Sequence, residues 1–264
     1  MNPRDLLDMA GDPRFIPGIY NYCDRWCERC AYTGRCLNFV HGEIMAAELE
    51  EDDESEALAE QLSESLQDAV DLIEIIAEEE GIELDLDSPE VEEMMAQEER
   101  ARERAASHPL AGAADPYIGM VNDWFGVGKP EYTMDLPPLE GDGARAGDAA
   151  EVIRWFQFFI SVKIRRALGS REHEADESEF WQEMPRDSDG TAKIALIAID
   201  RSIGAWGTLL HAYPARMSAT LEILALLSRL RLELEQEFPN AWSFIRPGLD
   251  ETFDGSSDAW HPDE

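Results

Sequence analysis

Four cysteines fall within fourteen residues: Cys23, Cys27, Cys30 and Cys36, spaced C-x3-C-x2-C-x5-C. They are all the cysteines of the 264-residue chain. Thiolates placed this close favour a soft metal centre. Structural zinc needs four sulfurs about 2.3 Å from one ion, and such sites usually arise from two separated C-x2-C turns. Here only Cys27 and Cys30 form one. A [4Fe-4S] cluster is larger and spreads its thiolates more widely. Cys23, Cys27 and Cys30 sit at i, i+4 and i+7. On a helix those positions share one face, with neighbouring Cβ atoms about 5–6 Å apart. Helical geometry there would suit a cluster better than a single ion, with Cys36 closing the site from the turn at Thr33-Gly34. The expectation is a [4Fe-4S] cluster, with zinc as the alternative. Disulfides, free thiols and simple apolar packing of the cysteines form a third reading.

The neighbours extend this expectation. Arg25, Arg29 and Arg35 alternate with the cysteines. Arginines offset the negative charge of a four-thiolate centre and donate hydrogen bonds to sulfur, which tunes a redox cluster. Trp26, with Tyr20, Tyr22 and Tyr32, could exclude solvent or anchor the segment on the helices. His41 could replace a cysteine as ligand, or pack and cap the next helix.

The segment Cys23-x3-Cys27-x2-Cys30 resembles the cluster-binding motif of radical S-adenosylmethionine enzymes. In that family the three cysteines leave one iron open for the cofactor. Here Cys36 could fill that position, and the chain lacks the family's alternation of strands and helices. Cys27-x2-Cys30-x5-Cys36 also looks like part of the auxiliary-cluster loops of that superfamily, with Val40 where a further cysteine is expected. The likeness covers about fourteen residues and implies metal chemistry alone. The longer pattern, including Ala198-Ile-Asp-Arg-Ser-Ile-Gly-Ala-Trp206, resembles an uncharacterised bacterial protein family, which brings no function with it.

Charge bounds the partners. Lys+Arg is 22 and Asp+Glu is 57, a net charge of −35. That balance argues against nucleic acid, whose phosphates demand basic residues, and against an anionic membrane surface. No apolar run reaches the roughly 18 residues of a membrane span. No signal peptide is legible at the N-terminus, since Pro3, Asp5 and Asp8 interrupt any apolar core. The expected compartment is the cytoplasm, where clustered cysteines bind metal more often than they form disulfides. A protein partner, basic or a redox protein, is expected. An acid-rich, lysine-poor composition is equally explained by solubility in a salt-tolerant or GC-rich source.

The elements that must position the cysteines read as all-α: a helical bundle with a small N-terminal cysteine-rich metal-binding module at 1–42. Residues 43–107 carry 25 acids against three arginines. Leu58, Leu62, Leu66, Val70, Ile73 and Ala77 form a helical stripe there, ended by Gly81. A second helix starts at Ser88-Pro89, so an acidic helical hairpin is expected. Residues 108–146 read as a Pro/Gly-rich connection packed on the bundle, with one short helix opened by Asp115-Pro116. Residues 147–248 hold three long helices. The first is opened by Asp148-x-x-Glu151 as a capping-box variant and stopped by Gly169. The second spans about 191–212 and the third about 215–238. An acidic loop is expected over 170–190 and a flexible tail over 249–264. The three helices need a fourth surface, for which the stripe from Leu58 is the natural candidate.

One further candidate site is Asp200. It lies one turn from Leu196 and Ile203 and so shares an apolar helix side. A buried carboxylate needs a partner, here Lys163, Arg154 or Arg229. Such a pair would fix helix register or line a polar pocket of an enzyme. No phosphate-cradling glycine loop and no G-x-S-x-G motif is present. The functional expectation is electron transfer or redox sensing through a [4Fe-4S] centre. The alternatives are a zinc-stabilised helical adaptor without catalysis, or an enzyme with a pocket around Asp200.

Overall fold

In the computed structural model the described residues are 3–49, 56–81, 85, 88–127, 143–174 and 187–250. The expected linker over 128–142, most of the acidic loop, and the tail beyond 250 lie outside them, as do the side chains of Leu58 and Leu62. All regular structure among the described residues is helical, so the all-α expectation stands. No described helix is long and apolar enough to cross a membrane. Contacts divide the chain into two units: the described parts of Met1–Val91 with Ile245–Glu264, and Glu92–Phe244.

The first unit contains helix α1 (Pro3–Ala10), α2 (Leu37–Leu49) and α3 (Glu56–Glu80). Between α1 and α2 lie only single 3-10 turns at Ile19–Asn21, Cys27–Arg29 and Thr33–Arg35. Helix α1 touches both α2 and α3. Gly81 follows α3 in the left-handed region at φ +69°, the conformation of a C-terminal glycine stop. Leu66, Val70 and Ile73 of the α3 stripe stand exposed, whereas Ala77 is buried.

The second unit is built on α7 (Gly143–Glu174) and α8 (Ser188–Ala212), which share the most extensive helix pairing among the described residues. Helix α9 (Met217–Glu237) packs on α8. Helix α4 (Pro89–Ser107) begins as expected, with Val91 N–H donating to the Ser88 hydroxyl at 3.3 Å. The stretch expected to hold one short helix holds two, α5 (Pro109–Ala114) and α6 (Pro116–Phe125). They supply core: Leu110, Ala111, Ala114, Tyr117, Val121 and Trp124 are buried. Together they cover the apolar side that α7, α8 and α9 share. The start of α5 is concealed in the sequence because its cap is a histidine. His108 Nδ1 accepts from Leu110 N–H at 3.2 Å, and Pro109 needs no amide partner at the first helical position.

Two helix boundaries differ from expectation. Helix α7 starts at Gly143, so Asp148 and Glu151 lie inside it and not at its first turn. It also runs through Gly169 to Glu174. A Cβ at Gly169 would make only ordinary contact with the Ala105 Cβ of α4, at 4.0 Å, and the helix continues through it. The extension to 174 is held by the ion pair of Arg104 with Glu172 (2.5 Å) and by His173 Nε2 lying 2.9 Å from a Glu98 carboxylate oxygen.

The core is fastened by aromatic side chains, and the indole N–H groups of Trp124 and Trp206 are both hydrogen-bonded. Trp124 meets Trp206 and Tyr213 edge-to-face, with centroids 5.2 and 5.5 Å apart. Trp206 Nε1–H donates to the Tyr117 hydroxyl at 3.1 Å, and Trp124 Nε1–H to Thr220 Oγ1 at 2.9 Å. Each such pair adds about 0.5–1.5 kcal/mol beyond the area it buries. Burial pushes the Tyr117 hydroxyl up to about 12, only partly countered by the Trp206 hydrogen bond. Because this folded pKa lies above the unfolded value near 10, the contribution is complete below pH ~10 and lost as pH rises toward 12. Urea unfolding at increasing pH should therefore show falling stability through that window. Tyr117→Phe should flatten the fall while costing about 1–3 kcal/mol at neutral pH, since it orphans the indole N–H.

Candidate metal centre

The cysteine segment is not a helix. Asp24 Oδ1 accepts from Trp26 N–H at 3.1 Å, closing a tight local turn. Arg25 between them stands at φ +59°, in the left-handed region that costs a non-glycine residue energy. That reversal breaks the i, i+4, i+7 register, so Cys23, Cys27 and Cys30 do not share a helix face. The spacing argument for a cluster over a single ion falls with it. Cys27 instead opens a 3-10 turn and Cys30 ends it, with Cys30 N–H bonded to the Cys27 carbonyl at 3.1 Å.

The loop nevertheless brings all four cysteines to one recess, walled by Tyr20, Trp26, Tyr32 and Phe39. The space it encloses is about 30 Å3, room for a water or a single ion. All four cysteines are free and half-buried. Their sulfurs do not close into a ligand group as they stand: among the described residues no three His, Cys, Asp or Glu side chains are placed to hold an ion.

Sulfur hydrogen bonds follow a repeated pattern. Tyr32 N–H donates to Cys30 Sγ at 3.4 Å, and the Arg25 backbone N–H bonds the Cys23 sulfur. In both cases the donor lies two residues after the cysteine. The Cys23 thiol also donates to the Tyr20 carbonyl at 3.6 Å. Cys36 has extended backbone angles, and its carbonyl accepts from Val40 N–H at 3.1 Å, so it is the N-cap residue of α2. The positive end of the helix dipole therefore faces the recess.

Burial pushes the Cys23 thiol up, opposed by the Arg25 backbone N–H and the Arg25 charge. Burial likewise raises Cys27, reinforced by the charges of Cys23, Cys30 and Cys36. Four thiolates around one recess repel one another, and a bound cation relieves that repulsion.

Of the three interleaved arginines, Arg25 lines the recess. Its guanidinium lies 6.0 Å from the Tyr20 ring centre and donates to Asn38 Oδ1 at 3.3 Å. Arg29 stacks 4.3 Å over the ring of Trp26, which is buried. Arg35 Nε–H donates to the Arg14 carbonyl at 3.5 Å, and Ile16 N–H bonds the Arg35 carbonyl at 3.0 Å. Those two bonds clasp the 14–16 strand of chain against the loop. His41 lies on α2 outside the recess lining.

Sequence reasoning missed the last wall. Leu249 lines the recess, and Gly248 at φ +67° brings it there. Arg246 and Asp250 hold the turn with a 2.7 Å ion pair.

Asp200 requires a correction. It is 41 % exposed and pairs with Arg231 of α9 at 2.6 Å, not with Lys163, Arg154 or Arg229. The buried pocket imagined around it has no such carboxylate to polarise it. Lys163 is buried against Phe159, 5.3 Å from the ring centre, and Arg154 lies 4.6 Å over Phe125.

No protein-family model, curated protein or solved structure matches this chain.

A Cβ at position 248 would stand 2.8 Å from two Ile16 carbons. Gly248→Ala should therefore destabilise the first unit by about 1–3 kcal/mol, through crowding and left-handed strain. Hydrogen exchange should quicken across the Ile16–Cys36 amides while α8 amides keep their protection. Equal acceleration in both places would contradict this.

Proposed function

We propose that the recess is a thiolate metal centre held by Cys23, Cys27, Cys30 and Cys36. We further propose that its occupant is a [4Fe-4S] cluster serving electron transfer or redox sensing beside a partner protein. The observation that carries the reading is the convergence of all four cysteines on one aromatic-walled recess. The donor set suits either soft metal centre. The cluster would supply one-electron chemistry. The chain's own groups would orient the sulfurs through the Arg25 and Tyr32 amides, exclude water with Trp26 and Phe39, and offset charge with Arg25. Binding requires the four sulfurs to draw inward, so loading and local folding are coupled.

Zinc is the second reading. It is favoured by the 3-10 turn that links Cys27 to Cys30 and by the loss of the helical spacing that distinguished a cluster. The chain would then be a zinc-stabilised adaptor without catalysis.

Protein purified without air should be brown, with about four iron and four acid-labile sulfide per chain, the content of that cluster type. Colourless protein with one zinc per chain would establish the second reading instead. Protein with neither metal after supplementation with both would overturn the thiolate-centre proposal. Cys30→Ser should lower metal content and quicken amide exchange over residues 14–36, leaving α7 and α8 unchanged.

A further inference from the structure

Helix α3 turns its apolar stripe outward. Leu66 is 62 % exposed and Ile73 55 %, and Val70 and Ile76 are exposed as well. Leu66, Val70 and Ile73 follow steps of four and three, so they lie on one face. In the sequence Leu58 and Leu62 continue the same steps toward the start of the helix. The better-covered side holds Leu72 and Ile75, half-buried, together with Asp68 and Asp71. The helix therefore half-shelters two aspartates while its most regular apolar row meets water. Single apolar side chains at a surface are ordinary, but a contiguous row marks a contact site.

Charge decides what the row can meet. Helix α3 has no lysine or arginine, and none occurs anywhere in residues 43–99. Glu56, Glu60, Glu64 and Asp68 recur at every fourth position, and the exposed pair Glu74 and Glu78 repeats that spacing. Like charges four apart on a helix repel one another, and a cationic neighbour relieves the repulsion. The stretches 50–55, 128–142, 175–186 and 251–264, outside the described residues, are each net acidic and supply no such neighbour. A second copy of the chain, at net charge −35, is repelled as a whole.

We propose that the Leu66–Ile76 face of α3 is a docking surface for a basic amphipathic helix of a partner protein. The apolar side chains of that helix pack on Leu66, Val70, Ile73 and Ile76. Its lysines or arginines lie against Glu74, Glu78 and the acids that precede the row. Recognition of this kind runs through anchors three and four residues apart. Apolar contact supplies affinity, and the acidic margin selects the partner by sign. The proposal is independent of what the cysteine recess holds.

Isothermal titration of the full chain at roughly 0.15 M salt tests it, where exposed charges more than about 8 Å apart are largely screened. The probe is a synthetic helical peptide with leucine at steps of three and four and lysine elsewhere. It should bind, and hydrogen exchange should slow across the Leu66–Ile76 amides while the α8 amides are unchanged. Leu66→Gln, Val70→Gln and Ile73→Gln combined keep every charge and a good helix former, and should weaken binding at least tenfold. Glu74→Gln with Glu78→Gln leaves the apolar row intact and should weaken binding severalfold. Absence of binding overturns the proposal, as does slowed exchange only outside α3 or unchanged affinity in either variant. Equal binding of a scrambled peptide of the same composition, or of one with glutamate for lysine, overturns it too.

Discussion

Helix α8 has almost no side left for water, and the second unit is arranged to satisfy it. Of its 25 residues, 14 are buried, including Ile194, Leu196, Ile199, Trp206 and Leu209. A helix this apolar is stable only when other helices surround it. Helices α7 and α9 pack along it, while α5 and α6 close the shared core against both. Small residues at Ala192, Ala195 and Ala198 let the α7 and α9 ridges come close. The buried ammonium of Lys193 is matched by donating to the Phe244 carbonyl at 2.6 Å and the Trp242 carbonyl at 3.4 Å. Burying that cation without partners would cost several kcal/mol, so the turn at Ala241–Ser243 is fixed by the same helix.

The cysteine loop is governed by the opposite kind of constraint. It has no long hydrophobic face and holds its shape through short-range hydrogen bonds and stacked rings. The Asp24 turn, the left-handed Arg25, two amide-to-sulfur bonds and the helix start at Cys36 each fix one or two residues. Local devices of this strength hold a chain near a geometry without enforcing it. That is consistent with sulfurs that line a common recess without closing on one point.

What was legible in the sequence follows this division. The helices containing Ile153–Leu168 and Ile194–Leu209 announce themselves by periodic apolar residues, because tertiary packing and local pattern agree there. The ends of α7 did not, because Asp148 and Gly169 carry capping chemistry yet lie inside a helix that runs past both. Helix α5 was concealed by a histidine cap. Asp200 was misplaced because its helical position borders the buried side, and its exposure is set by Arg231 on another helix. The four cysteines were legible as a group from spacing alone. Their arrangement was not, since nothing in a spacing of three, two and five announces that Arg25 reverses the backbone. The contribution of Leu249 was beyond reach for another reason: it comes from the far end of the chain.

That last contact has a consequence for biogenesis. Most of the pocket is translated by Phe39, yet one of its walls, Leu249, follows more than two hundred residues later. Gly248 nests against Ile16 only after the intervening helices have been made. The thiols are therefore left half-sheltered while those residues are made, and the enclosure is finished only once Leu249 has followed.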